Sequence, residues 1–291
     1  MQSKIPSKLV LSSFLMEVNA LKPGNVSRYA SGHDMTIDDF VLSAELVSPI
    51  LCNNNLSLGE RVLQSIKITR EKVRCNTNLG MVLLFAPIIM AAEMTGSNSD
   101  IALQNNLKTL LETIDKTDSR LIFQAISEAN PGGLGHSDKY DVNLLPDCSL
   151  YDAMAEAQER DFIAKQYVTG FSDIFTSGLD CIKEFTSRWN SVEWATVACY
   201  LTFLANFADS HIVRKFGIQT AEQTRTKAIA VAKQFKQHTN PDNAIPALLE
   251  FDKELKNLNI NPGTSADLAA ASVLVYKLVS KRIADVQTES V

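Results

Sequence analysis

The chain has no run rich in Val, Ile and Tyr that alternates with period two; apolar residues recur instead at helical spacing almost throughout. A sheet is not expected, and the fold class is all-α. It also has no GxxxxGK[ST] loop, no Rossmann glycine pattern and no nucleophile elbow, which disfavours P-loop kinases, dinucleotide enzymes and α/β hydrolases. The five cysteines (Cys52, Cys75, Cys148, Cys181, Cys199) form no CxxC pair and no Cys/His cluster at zinc spacing, so they are read as free thiols of a reducing cytoplasm.

No apolar stretch reaches the roughly 20 residues a membrane span needs. The longest, Leu79 to Ala92, contains Pro87 and reads as a core helix kinked or interrupted there. Met1 to Lys8 carries cations with no apolar run after it, so secretion is not expected. A net charge of −5 offers no general attraction to nucleic acid or to an anionic membrane. The expected partners are small molecules, and the oligomeric state is left open. Low-complexity linkers and internal repeats are missing too, so residues 1–291 are expected to form a single bundle-like helical domain around a central polar pocket.

Periodicity predicts helices near 4–21, 36–52, 57–74, 78–94, 98–116, 118–129, 149–170, 172–187, 191–207, 219–237, 243–257 and 264–283. The polar loops lie at 22–35, 130–148, 208–218 and 238–263. Three Pro-Gly turns fall in these loops: Lys22-Pro23-Gly24-Asn25, Asn130-Pro131-Gly132-Gly133 and Asn261-Pro262-Gly263-Thr264. Pro presets φ, Gly allows close backbone approach, and the amides of a following helix start can face an anion. The turns are expected to wall one polar site.

Four acids fall in line with apolar stripes or ends. Asp161 shares a face with Tyr151, Met154, Ala157, Ala164, Val168 and Phe171, with Lys165 one turn on as a partner; Glu17 lines up with Val10, Phe14 and Leu21. Asp267 lines up with Ala271, Leu274 and Leu278, and Asp209 ends an apolar helix before His211, Arg214 and Lys215. Each has a structural alternative: ion pairs for Glu17 and Asp161, a solvated helix end for Asp209, and for Asp267 the N3 place of a capping box opened by Thr264. Asn76 and Asn78 are either caps of the apolar helix or site amides, and His33 beside Asp34 is either a phosphate contact, an acid-base pair or a plain loop residue. His136 reads the same way more weakly, and His238 reads as exposed. Inward acids next to Lys22, Arg28, His33, Arg214 and Lys215 suit a metal-phosphate ligand.

In their order and joint presence, seven segments resemble the triphosphoribosyl-dephospho-CoA synthase family, in a divergent branch, almost end to end. They are Glu17 with Lys22-Pro-Gly-Asn-Val-Ser-Arg28, His33-Asp-Met35, Asn76-Thr-Asn-Leu-Gly80, Asn130-Pro-Gly-Gly-Leu-Gly135, Asp161 to Tyr167, Asp209 to Lys215 and Asn261-Pro-Gly-Thr-Ser-Ala-Asp267. The resemblance implies an all-helical enzyme that moves the triphosphoribosyl part of ATP onto a hydroxyl of 3'-dephospho-CoA and releases adenine. Typical members read Lys-Pro-Gly-Leu-Val-Asp and Asn-Thr-His-Lys-Gly where this chain has Ser27, Asn78 and Leu79, so a carboxylate and a His-Lys pair are absent.

On this reading Glu17, Asp161, Asp209 and Asp267 are the catalytic candidates, and Asp34, Asp161 and Asp209 the ligands of Mg²⁺. Lys22, Gly24, Asn25, Arg28, His33, Asn76, Asn78, Gly132, Gly133, Lys165, His211, Arg214, Lys215 and Thr264 are expected to bind ATP. Two other readings stay open. One is a phosphoribosyl-type transfer to another acceptor in cofactor biosynthesis; the other is a non-catalytic helical protein that binds nucleotide.

Overall fold

The computed structural model describes residues 4–94, 99–145 and 147–289, with side chains described as far as Ser280. Met1 to Ser3 and the expected helix start at Asn98 lie outside the described residues. Fourteen α-helices and no strand occur among those described. In chain order they are α1 Ser7–Asn19, α2 Ile37–Leu51, α3 Leu58–Lys72, α4 Leu79–Glu93, α5 Asp100–Glu112, α6 Lys116–Ala129, α7 Leu150–Ala157, α8 Phe162–Thr169, α9 Leu179–Trp189, α10 Val192–Asn206, α11 Ser210–Phe216, α12 Ile218–Gln237, α13 Ile245–Asn257 and α14 Gly263–Glu289. None is long and apolar enough to cross a membrane.

The core forms around α4, α10 and α14. Nearly every residue of α4 is buried, as a helix apolar on all sides must be, and α14 packs against α1, α4 and α10. Of the kink or interruption expected at Pro87, the interruption does not occur: the proline lies inside α4. A proline cannot donate to the carbonyl four residues back. That carbonyl, on Leu83, instead accepts a 2.7 Å hydrogen bond from the buried Tyr167 hydroxyl, which ties α8 to the core.

The helix expected over 149–170 is two helices. Asp161 leaves the helical region (φ −137°, ψ 115°), and its Oδ1 accepts from the amides of Ile163 and Ala164. An aspartate offers its own chain such a cap, and here the cap starts a new helix where a continuous stripe was expected. Tyr151, assigned to that stripe, is exposed. The expected loop 208–218 contains α11, begun by Asp209 as N-cap.

Candidate functional site

Two of the Pro-Gly turns are joined directly. Asn25 Nδ2 donates to Asn261 Oδ1 at 2.8 Å, both residues buried. Gly24 has φ +82°, and a Cβ there would stand 2.9 Å from Pro262 Cδ and 2.8 Å from Leu255 Cδ1, so only glycine fits between the turns. The Gly24 amide donates to Asp252, its carbonyl accepts from His33 Nε2, and the Pro23 carbonyl accepts from Tyr200. The second turn meets the others through α11. A Cβ on Gly132 would lie 2.7 Å from Lys215 Cε, one on Gly133 2.7 Å from the Arg214 carbonyl, and one on Gly263 2.4 Å from His211 Nδ1.

Asn25, Pro131 to Gly135, Asn261 and Gly263 line one cavity of about 610 Å³, within the range of small-molecule sites. Burial divides its lining into two ends. Glu17, Asn25, Asn78 and Asn261 are buried and form a floor, while Lys139, Arg160 and Lys215 are exposed and form a mouth. Between them Phe40, Leu79, Leu83, Phe123, Met154 and Ile163 supply apolar wall.

The four acids take different positions. Asp209 is wholly buried and does not line the cavity. Its Oδ1 accepts from the amides of His211 and Ile212, and its Oδ2 from the amide and hydroxyl of Ser265, so one carboxylate caps both α11 and α14. Burial raises its pKa against those hydrogen bonds. Asp161 lies at the cavity with Oδ2 2.6 Å from Arg214 Nη1; Arg214, not Lys165, is its ion-pair partner.

Glu17 is buried on the cavity floor, with Oε1 3.1 Å from Lys22 Nζ and with Oε2 accepting no hydrogen bond. Burial pushes its pKa up, opposed by the Lys22 charge. Asp267 lines the cavity, and among the described residues no donor reaches its carboxylate. Burial, then the charges of Glu17, Asp209 and Asp161, hold its pKa well above the usual carboxylate range, with Arg214 pulling the other way. Nor is it the N3 acid of a capping box: α14 starts at Gly263, and Thr264 Oγ1 bonds Ser210 Oγ at 2.9 Å.

Several expected ligand contacts lie elsewhere. Lys22 is fully buried, and its ammonium is spent on Glu17 Oε1 and on the carbonyls of Glu17 and Val26. Arg28 pairs with Glu193 on the surface, Lys165 stands over the Phe162 ring, and neither lines the cavity. Gly24 and Thr264 lie behind the wall. His33, Asn76, Asn78, Gly132, Gly133, His211, Arg214 and Lys215 are on it. Burial, with the nearby cations of Arg214, Lys215 and His33, brings His211 down to about 3.

Among the described residues no three His, Cys, Asp or Glu side chains stand together as metal ligands. Asp34 is exposed outside the cavity, the oxygens of Asp209 are filled, and those of Asp161 serve α8 and Arg214. The three expected Mg²⁺ ligands therefore do not form a metal cage. The sequence reading missed Lys139, Arg160 and Asp141; the last holds His136 Nδ1 at 2.5 Å on the cavity wall. The density of charge in His136-Ser-Asp-Lys-Tyr-Asp141 is the signal that marks this segment.

Of the departures from the family pattern, Ser27 is buried off the cavity, whereas Asn78 and Leu79 line it. Two curated relatives, both named probable 2-(5''-triphosphoribosyl)-3'-dephosphocoenzyme-A synthases, come from the M66-2 and El Tor Inaba N16961 strains of Vibrio cholerae O1. Each is 23% identical over 305 aligned positions, covering 95% of this chain and 88% of the relative. A crystal structure from Archaeoglobus fulgidus, provisionally assigned as a triphosphoribosyl-dephospho-CoA synthase, shares the fold with a TM-score of 0.63. It is 24% identical and covers 82% of this chain and 98% of its own. The family model for ATP:dephospho-CoA triphosphoribosyl transferase matches residues 4–285, and the chain belongs to that family.

Proposed function

We propose that the chain transfers the triphosphoribosyl group of ATP to a hydroxyl of 3'-dephospho-CoA with release of adenine. One observation carries the reading: a single cavity has cations at its mouth and the Glu17 and Asp267 carboxylates on its lining. ATP has the matching polarity. Its triphosphate lies against Arg160, Arg214 and Lys215, and its ribose reaches toward Glu17 and Asp267. Cleavage at C1' builds oxocarbenium character, which nearby carboxylates stabilise, while the phosphates are retained and need only be held.

Mg²⁺ accompanies ATP as the counter-ion of its triphosphate, and among the described residues no group of acids forms a cage for it. The continuous apolar core from Ile5 to Val279 supports one working domain, and the five free thiols fit a reducing cytoplasm. Incubating the purified protein with ATP, Mg²⁺ and 3'-dephospho-CoA should liberate free adenine, read by chromatography. Its absence sinks the proposal.

Asn78 and Leu79 favour a second reading, since they put an amide and an apolar group on the wall where typical members carry His-Lys. In that reading the transfer is kept and the acceptor differs. Thermal-shift screening against ATP, phosphoribosyl pyrophosphate and CoA derivatives separates the two, because the true substrates stabilise the fold most.

A further inference from the structure

A base for this transfer must hold an oxygen that is open to the ligand and not already committed to the fold. Asp209 fails that requirement with four donors on its two oxygens. Asp161 fails it because Oδ1 caps α8 and Oδ2 holds Arg214. Glu17 Oε2 has no donor but is closed off from solvent, and its other oxygen is held by Lys22 at 3.1 Å. In Asp267 alone of the four, neither oxygen accepts a hydrogen bond from the described residues, and its carboxylate is on the cavity wall.

The local packing fixes where that carboxylate points. Gly80, on the first turn of α4, lies against it so closely that a Cβ would come within 2.0 Å of Asp267 Oδ2. Asn78 Oδ1, two residues earlier, is also buried and receives no hydrogen bond. Glu17 Oε2 and Asn78 Oδ1 are thus buried acceptors without donors on residues of the cavity lining, and the Asp267 carboxylate on the same lining lacks a donor too. Buried acceptors are costly unless a partner arrives. A hydroxyl is a partner of the right kind, and so is a ribose diol.

We propose that Asp267 is the catalytic base of the transfer, positioned by Gly80. The assignment rests on the function proposed above. As the acceptor oxygen bonds to C1', the C1'–N9 bond breaks and its electron pair leaves with adenine. The hydroxyl proton passes to Asp267 and a proton returns to the departing adenine, so none is gained or lost overall. The charged groups that bear on Asp267 are Glu17 from α1, Asp161 at the start of α8, and Asp209 and Arg214 at α11. Three of the four are negative and favour its taking a proton.

The test compares wild type, Asp267→Asn and Gly80→Ala in the adenine-release assay, with ATP binding followed by thermal shift. Asp267→Asn should lower kcat by roughly 100-fold or more, the range expected for a lost general base. ATP binding and both KM values should stay within a few-fold of wild type. The acid limb of the wild-type kcat profile should be absent from the residual activity. Gly80→Ala, which displaces the carboxylate without removing it, should lower kcat in the same sense and serves if Asp267→Asn does not fold. A kcat for Asp267→Asn within tenfold of wild type, an unchanged acid limb, or an unaffected Gly80→Ala enzyme overturns the assignment alone. A wild-type protein that releases no adenine overturns the parent function, and the assignment with it.

Discussion

Asn25 and Asn261, 236 positions apart in the chain, share a buried 2.8 Å hydrogen bond that joins the first and third Pro-Gly turns at the floor of the cavity. Replacing Asn25 with Ala leaves the Asn261 carbonyl oxygen without its donor. The expected cost is about 1–3 kcal/mol, the penalty for an unsatisfied buried polar group, read from urea denaturation. A cost near zero would mean that the turns are held by Gly24 packing alone.

Lys22 and Glu17 should behave as a structural pair. Lys22→Met strips the buried Glu17 carboxylate of its partner and should destabilise by about 3–5 kcal/mol, whereas Lys22→Met with Glu17→Gln should recover much of that loss. The thermodynamic cycle over the two single and one double variant measures the coupling. Loss of ATP affinity from Lys22→Met with the melting temperature unchanged would return Lys22 to the ligand.

At the mouth, Arg160→Ala and Lys215→Ala should each raise the KM for ATP by about tenfold with kcat little changed, and the effect should shrink as salt rises. Arg28→Ala and Lys165→Ala should leave KM alone, since neither side chain lines the cavity. Steady-state kinetics at two ionic strengths test the contrast.

Acid should act on stability through His211, whose pKa of about 3 lies below its ordinary 6.5. The unfolded chain takes up a proton there before the folded one, so this residue makes stability fall as pH drops from about 6.5 toward 3. His211→Asn should flatten that slope in thermal melts. Asp267 has the opposite sign: its raised pKa means that stability falls as pH rises through it, so Asp267→Asn should melt higher than wild type near neutral pH.

The length of its apolar run, Leu79 to Ala92, made α4 legible as a core helix, since its apolar residues cover every face. α11 stayed hidden because seven residues make fewer than two turns, too few to show a pattern. Asp161 fell on an apolar stripe only if the helix ran on. In the competition between a helical backbone and an aspartate's own cap the cap prevails, and Arg214, 53 positions away, holds the other oxygen. Lys22 looked like a ligand for a similar reason, since no local rule tells whether a lysine after a helix reaches outward or folds back onto the Glu17 and Val26 carbonyls. Lys139 sits in a loop without period, and Arg160 in the break between α7 and α8 that the 149–170 stripe concealed; the cavity reveals their direction.

The contact between Gly80 and Asp267 has a consequence for descent. Because a Cβ on residue 80 and a carboxylate on residue 267 claim the same space, neither position can change freely on its own. Relatives that keep the acid should keep the glycine, and a lineage that gains a side chain at the glycine should have lost or shortened the acid. The two positions, 187 residues apart in sequence, should therefore covary, and lineages in which both have drifted are where transfer activity should have been abandoned.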